Sequence, residues 1–235
     1  MKNTVICKNC NTENPFYSLI CCNCKAFLRE RVINIDLWKI LALLIESPVA
    51  AFKLIIQSEH KNFIFFLLPL ISGKFFIISM FISLLSLREQ ARLGNFIQNY
   101  LIVLITIVLV IVVFSLLITL VFRKYKLATR FNDNFSIIIY SFVPHIFGFA
   151  ILFPVELVLF GETLFSVNPS PFSVKENLAY TLLAFELMII LWSIFLFFIA
   201  LFTQSKNIIF SLSSSLIINL LVYLALFISS AVLFN

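Results

Sequence analysis

Tyr100-LIVLITIVLVIVVFSLLITLV-Phe122 decides the fold, because from Leu101 to Phe122 it carries no charged residue and no histidine. An apolar run of about 20 residues is the length at which an α-helix, rising about 1.5 Å per residue, crosses the hydrocarbon core of a bilayer. Water is absent there, so every backbone N–H and C=O must be satisfied within the segment, and a helix does that. Four further runs have the same character: Phe63 to Leu87, Phe135 to Phe160, Ala179 to Thr203, and Ile208 to Phe234. The sequence therefore predicts an all-α polytopic membrane protein with a five-helix transmembrane bundle. Composition agrees, since 62% of the 235 residues are hydrophobic and only 12% are charged, about half the charged share of a soluble domain. The first run is the most interrupted. Pro69 and Gly73-Lys74 offer a broken or re-entrant helix as its alternative to a plain crossing.

Before the spans stand two cysteine knuckles, Cys7-Lys-Asn-Cys10 and Cys21-Cys-Asn-Cys24, separated by ten residues. Each C-x-x-C delivers two thiolates, and the pair supplies the four soft ligands of a tetrahedral site. Cys7, Cys10, Cys21 and Cys24 are the expected ligands of a Zn²⁺ ion; Cys22, inside the second knuckle, is a spare thiol. A redox dithiol is the rival, but two paired knuckles argue for metal over a lone C-x-x-C. Structural zinc contributes on the order of 10 to 16 kcal/mol to peptides this small, so the head is expected to depend on its metal for folding.

The chain divides into a zinc-ribbon head (1–30), amphipathic juxtamembrane helices (31–61) and the five-span domain (62–235). In the middle segment Leu37, Ile40, Leu41 and Leu44 recur at helical spacing, with Trp38 and Lys39 suited to a headgroup boundary. Ser47-Pro48 reads as an N-cap and a first-turn proline opening a second helix. That helix has Val49, Phe52, Ile55 and Ile56 on one side and Lys53 and Gln57 on the other. Both pieces are expected to lie in the membrane interface, with burial against the spans as the other arrangement.

Five spans put the two ends on opposite faces, and cation counts then orient the chain. With the N-terminus inside, thirteen of the seventeen Lys and Arg residues fall on the cytoplasmic side. Arg88, Arg92 and Lys175 fall on the other, and Lys74 lies within a span. Met1 to Ile6 contains no apolar signal stretch, so the head is expected to stay in a reducing cytoplasm, where thiols remain available for metal. The formal charge of +6 is spread beside the spans rather than along a groove with stacking aromatics, which argues against nucleic acid and for anionic lipid.

Four polar residues inside the spans call for explanation: Lys74, His145, Glu156 and Glu186. A charge at mid-bilayer costs roughly 2.5 to 3.5 kcal/mol on insertion scales. Lys74 is expected to pair with Glu186 or Glu156 and lock the bundle. A proton or ion relay is the sharper reading of the same residues, and Glu156, near the outer end of its span, has the option of reaching water. His145, directly after Pro144, is expected to answer a carbonyl freed by that proline. The sequence carries no nucleophile–acid–base set and no phosphate loop, so no enzymatic activity is expected.

The segment from Cys7 through Pro15 to Cys21-Cys-Asn-Cys-Lys-Ala-Phe-Leu28 resembles the short zinc-ribbon modules at the ends of many prokaryotic membrane and regulatory proteins. Those modules usually place Gly after each knuckle, where this chain has Asn11 and Lys25. From Ser47-Pro48 onward, the chain resembles the Yip-domain membrane proteins, a family named for its interaction with Ypt/Rab-type GTPases. The residues that carry this resemblance are Ser47-Pro48 with Phe52, Leu68-Pro-Leu-Ile-Ser-Gly73, and Tyr140-Ser-Phe-Val-Pro144. The resemblance implies five spans, a cytoplasmic N-terminus, an outer C-terminus and a prokaryotic cytoplasmic membrane. It implies no enzymatic activity. Membrane lipids and other membrane subunits are the expected partners. The expected function is a scaffold or accessory subunit, with a lipid or small-solute transport subunit as the alternative.

Overall fold

The computed structural model describes residues 4–85, 95–166 and 168–233. Its chain order is β1 (Thr4–Ile6), β2 (Glu13–Pro15), α1 (Leu37–Glu46), α2 (Pro48–Gln57), α3 (Ile64–Leu85), α4 (Phe96–Lys124), α5 (Phe131–Ser141), α6 (Val143–Phe147), a π-helical turn (Gly148–Leu152), α7 (Phe153–Phe160), a 3₁₀ turn (Gly161–Phe165), α8 (Pro171–Val174), α9 (Glu176–Ser205) and α10 (Ile208–Leu233). Five segments are long and apolar enough to span a membrane: Ile64–Ser83, Phe96–Lys124, Phe131–Phe165, Glu176–Ser205 and Ile208–Ala231. The protein is an all-α multi-pass membrane protein with a small N-terminal cysteine cluster. The second, third and fourth helical segments outrun the sequence expectation at both ends. Polar residues such as Gln98, Asn99 and Glu176 continue a helix as readily as they end a hydrophobic run. Arg88, Arg92 and the outer limit at Phe234 lie outside the described residues.

The long helices contribute to two compact units. The first comprises Met1–Phe65, Ile111–Ser141 and Phe195–Leu216. In it β1 and β2 pair antiparallel, Thr4 opposite Pro15 and Ile6 opposite Glu13. The α1 helix starts on Asp36, whose carboxylate accepts from the Lys39 N–H at 3.2 Å, the cap that a first turn of orphan donors requires. Ser47 ends α1 and begins α2, with Pro48 in the first turn as expected, but its hydroxyl makes no capping bond. The covered face of α1 holds Ile40 and Leu44, while Trp38 is 80% exposed. Phe52, Ile55 and Ile56 of α2, one of the faces expected to meet lipid, are instead buried at 0–2% exposure, with α5 packed against the helix. Val49 stays 38% exposed.

Between α4 and α5 the chain turns through Lys126 at φ 57, and Leu127 N–H reaches back to the Phe122 carbonyl at 2.8 Å. Arg123 and Lys124 occupy the last turn of α4, where cations complement the helix dipole. Between α9 and α10, Lys206 takes φ 52. Asn207 then caps α10 through Oδ1 to the Phe210 N–H at 2.9 Å. Serines are frequent in α10, and their hydroxyls donate within the helix, Ser211 to the Asn207 carbonyl and Ser230 to that of Phe227. In an apolar solvent this neutralises a polar group that would otherwise need a partner.

The second unit comprises Phe66–Val110, Phe142–Ile194 and Ile217–Asn235. Here α3 is one continuous helix through Pro69. The first span is therefore the plain crossing that was expected rather than its broken or re-entrant alternative, and a change of winding lies in the third. After α5 ends at Ser141, Phe142 adopts φ −87, ψ 2, and α6 restarts with Pro144 in its first turn, where a missing N–H leaves no helical bond unmade. A π turn then precedes Pro154 in the first turn of α7, and the Phe153 N–H bonds the Gly148 carbonyl, five residues back. Two prolines ten residues apart are absorbed by a restart and a wide turn, both recognised local remedies for a proline within a span.

Candidate metal centre and buried charge clusters

Both knuckles wind the same way. The Cys7 N–H bonds the Thr12 carbonyl at 3.0 Å and the Asn11 N–H bonds the Cys7 carbonyl at 2.9 Å; in the second knuckle, Cys21 to Ala26 measures 2.9 Å and Lys25 to Cys21 measures 3.2 Å. Asn11 and Lys25 stand at φ 55 and φ 60, the left-handed region that glycine usually supplies. The four sulfurs of Cys7, Cys10, Cys21 and Cys24 lie within 4.8 Å of one another. Cys7 and Cys24 are 3.5 Å apart, as are Cys10 and Cys21, and no disulfide joins them. A tetrahedron of thiolates at about 2.3 Å from a metal spaces its sulfurs by roughly 3.8 Å. The observed set fits a metal ion.

Residues around the site prepare the sulfurs for that role. Asn14, buried at 1% exposure, donates from Nδ2 to the Cys21 sulfur at 3.5 Å and accepts at Oδ1 from the Cys22 N–H at 2.8 Å. The Thr12 hydroxyl lies 3.2 Å from the Cys10 sulfur; this hydrogen bond, with backbone help, holds the Cys10 thiol below its ordinary range, whereas Cys7 in the same cluster stands above it. Cys22 is exposed and lies outside the four-sulfur set.

A second cluster, which the sequence reading missed, surrounds the C-terminal end of α2. Three cations converge on its last carbonyls. Lys61 Nζ reaches the Ile56 carbonyl at 3.2 Å, Arg130 Nη2 the same oxygen at 2.9 Å, and Arg29 Nη2 the Gln57 carbonyl at 2.8 Å. Asp133, 1% exposed, binds Lys61 at 3.0 Å and Arg130 at 2.8 Å. Burial pushes the Lys61 ammonium below its ordinary range, and Asp133 draws it part of the way back. The head joins this cluster: Arg29 also bonds the Tyr17 carbonyl at 2.9 Å, and the Arg130 guanidinium lies 4.6 Å from the centre of the Tyr17 ring. The available signal was Arg130 three residues before Asp133 on one helix turn.

Asp133→Asn removes the one carboxylate that Lys61 and Arg130 share. Because Lys61 is 8% exposed, the loss is expected to be about 3 kcal/mol of stability, read from thermal unfolding of the full-length chain in mild detergent. Arg31→Ala is the control. Its partner Glu59 is held below the usual carboxylate range by the Arg31 hydrogen bond, yet Arg31 is 60% exposed, so solvent screens the pair and the unfolding temperature is expected to stay nearly unchanged.

The polar residues of the spans meet in the second unit. Lys74 Nζ pairs with Glu186 Oε1, one of the two partners expected for it. The Lys74 side chain is 1% exposed and that of Glu186 is 18% exposed. Gly148 of the π turn makes room for this pair: a Cβ there would stand 3.3 Å from Lys74 Cε and 2.8 Å from Ile189 Cδ1. His145 finds a side-chain partner. Its Nε2 meets the Tyr223 hydroxyl at 3.2 Å, and the Phe75 ring lies 4.8 Å away, centre to centre. Glu156, near the outer end of its span, is 6% exposed, near enough to Lys74 and Glu186 for their charges to act on it, and its Oε2 has no hydrogen-bond partner among the described residues.

No family model, curated protein or solved structure matches the chain.

Proposed function

We propose that this chain is a non-enzymatic membrane scaffold or accessory subunit whose zinc-loaded head docks another membrane component. The observation that carries the reading is the apolar surface on the head. Phe27 is 75% exposed, Ile20, its partner across a β-bridge beside the second knuckle, is 44% exposed, and Ile6 is 60% exposed. A metal-clipped module of this size keeps such residues out of water by pressing them against a partner. Zinc is the proposed metal because four thiolates in a closed tetrahedral set are its usual structural ligands. The bias of thirteen cations toward one set of loops supports a cytoplasmic head and an outer C-terminus in a prokaryotic cytoplasmic membrane. Membership of the Yip-domain family belongs to the same proposal, supported by five membrane-length helices and by Pro48 opening α2.

Purification of the full-length chain in native lipid, followed by identification of attached proteins and lipids, tests the reading. A protein partner is expected to stay with the wild-type chain and be lost on Phe27→Glu, with metal content unchanged. Emergence of the wild-type chain alone and lipid-bare overturns the proposal.

A transport subunit for lipid or a small solute is the second reading. It is favoured by an apolar groove in the second unit, where Phe147 and Trp192 stack at 6.0 Å and Ile151, Phe185, Met188 and Ile189 are among the other lining residues. Substituting Lys74 and Glu186 by Leu separates the two: unchanged transport with intact assembly defeats the second.

A further inference from the structure

The second unit holds an imbalance of charge within the membrane-spanning segments. Two carboxylates, Glu156 on α7 and Glu186 on α9, share the neighbourhood of one ammonium, Lys74 on α3. The titratable groups facing them from the other elements are His145 on α6 and Tyr223 on α10, which bond each other. His145 is wholly buried and near enough to Lys74 to feel its charge, so a second positive charge on its ring would stand against the first. Lys74 is spent on Glu186. Glu156, 6% exposed with Oε2 unpartnered, is left with no protein cation of its own among the described residues of the unit.

A bare carboxylate in a low-dielectric interior is costly enough that it acquires a counter-charge or a proton. The described span segments of this unit supply neither a second lysine nor an arginine beside Lys74. Among the described residues no further cation is at hand, and a charge from outside the chain would complete the count. A divalent ion would over-compensate one carboxylate and sit against the Lys74 ammonium, whereas a single positive charge closes the count.

We propose that Glu156, with the Lys74–Glu186 pair as its fixed neighbour, forms an intramembrane site for one monovalent cation, a proton or Na⁺. The site holds whether the chain scaffolds or transports. A proton rests on Glu156 as a neutral carboxylic acid; sodium rests there as an ion held by the carboxylate and nearby backbone oxygen.

Dicyclohexylcarbodiimide distinguishes these cases in the unaltered full-length chain in nanodiscs, because it reacts with carboxylic acids in apolar surroundings and spares carboxylates. Peptide mass spectrometry then finds the labelled residue. The expected adduct is on Glu156, forming readily in choline buffer and falling at least tenfold as pH rises. If the resident is Na⁺, sodium chloride in place of choline chloride protects Glu156 at fixed pH; if it is a proton, the two salts give equal labelling. His145→Gln leaves either pattern in place. Labelling absent from Glu156, or present there and indifferent to both pH and sodium, overturns the proposal. The Glu156→Gln chain, isosteric with the neutral acid, should fold and take no label at residue 156 while retaining the Lys74–Glu186 pair.

Discussion

Lys74→Leu should lower the stability of the full-length protein in mild detergent by about 3 to 5 kcal/mol, the cost of stranding a buried ionic partner. The lysine is 1% exposed and its neighbour Glu186 18%, so removing Lys74 leaves the Glu186 charge without its ion-pair partner in a half-buried position. Glu186→Gln is expected to cost less than Lys74→Leu, because the position is more open and the amide oxygen still accepts a hydrogen bond from Lys74. The double change Lys74→Leu with Glu186→Leu should recover most of the loss, since apolar residues of similar volume replace a buried pair at little or no penalty. Thermal unfolding of the four chains side by side reads this out. A single Lys74→Leu chain as stable as the parent would mean that the pair does not hold α3 to α9.

Removing the metal is the second large perturbation. Four thiolates with no ion between them lose a contribution on the order of 10 to 16 kcal/mol, far more than β1, β2 and one β-bridge can replace. Cys7→Ser with Cys21→Ser, or treatment with a strong chelator, should abolish backbone hydrogen-exchange protection through the head. Loss should extend to the end of α2, because Arg29 and Tyr17 of the head take part in the cluster around the Gln57 and Ile56 carbonyls. Cys22→Ser should retain the full metal content. Protection that survives chelation in a chain shown to be metal-free would show that the head folds by other means.

The parts of the molecule that were readable in the sequence are those whose cause is local. Hydrophobic length alone identifies a span, and the five are where that criterion puts them. Knuckle spacing alone identifies the cysteine cluster, and the left-handed turns at Asn11 and Lys25 stand where the zinc-ribbon modules it resembles place glycine. What was not readable depends on which faces of distant helices meet. Lys74 had two candidate carboxylates, and only packing chose Glu186. His145 found Tyr223 across 78 residues of chain. The proline arithmetic misled for a different reason. Pro69 takes one hydrogen bond from an otherwise regular helix, whereas Pro144 and Pro154 each fall where the winding already changes.

That change of winding separates two quantities that a regular helix binds together, the number of residues along a span and the angular direction of each. A regular α-helix advances about 100° per residue, so the wide turn at Gly148–Leu152 acts like a slipped tooth in a gear. His145 and Gly148 on one side of it, and Glu156 on the other, are aimed by different settings of the same screw. Deleting a single residue from that turn would re-engage the gear and carry Glu156 around the helix toward lipid, with neither hydrophobic length nor composition recording the change.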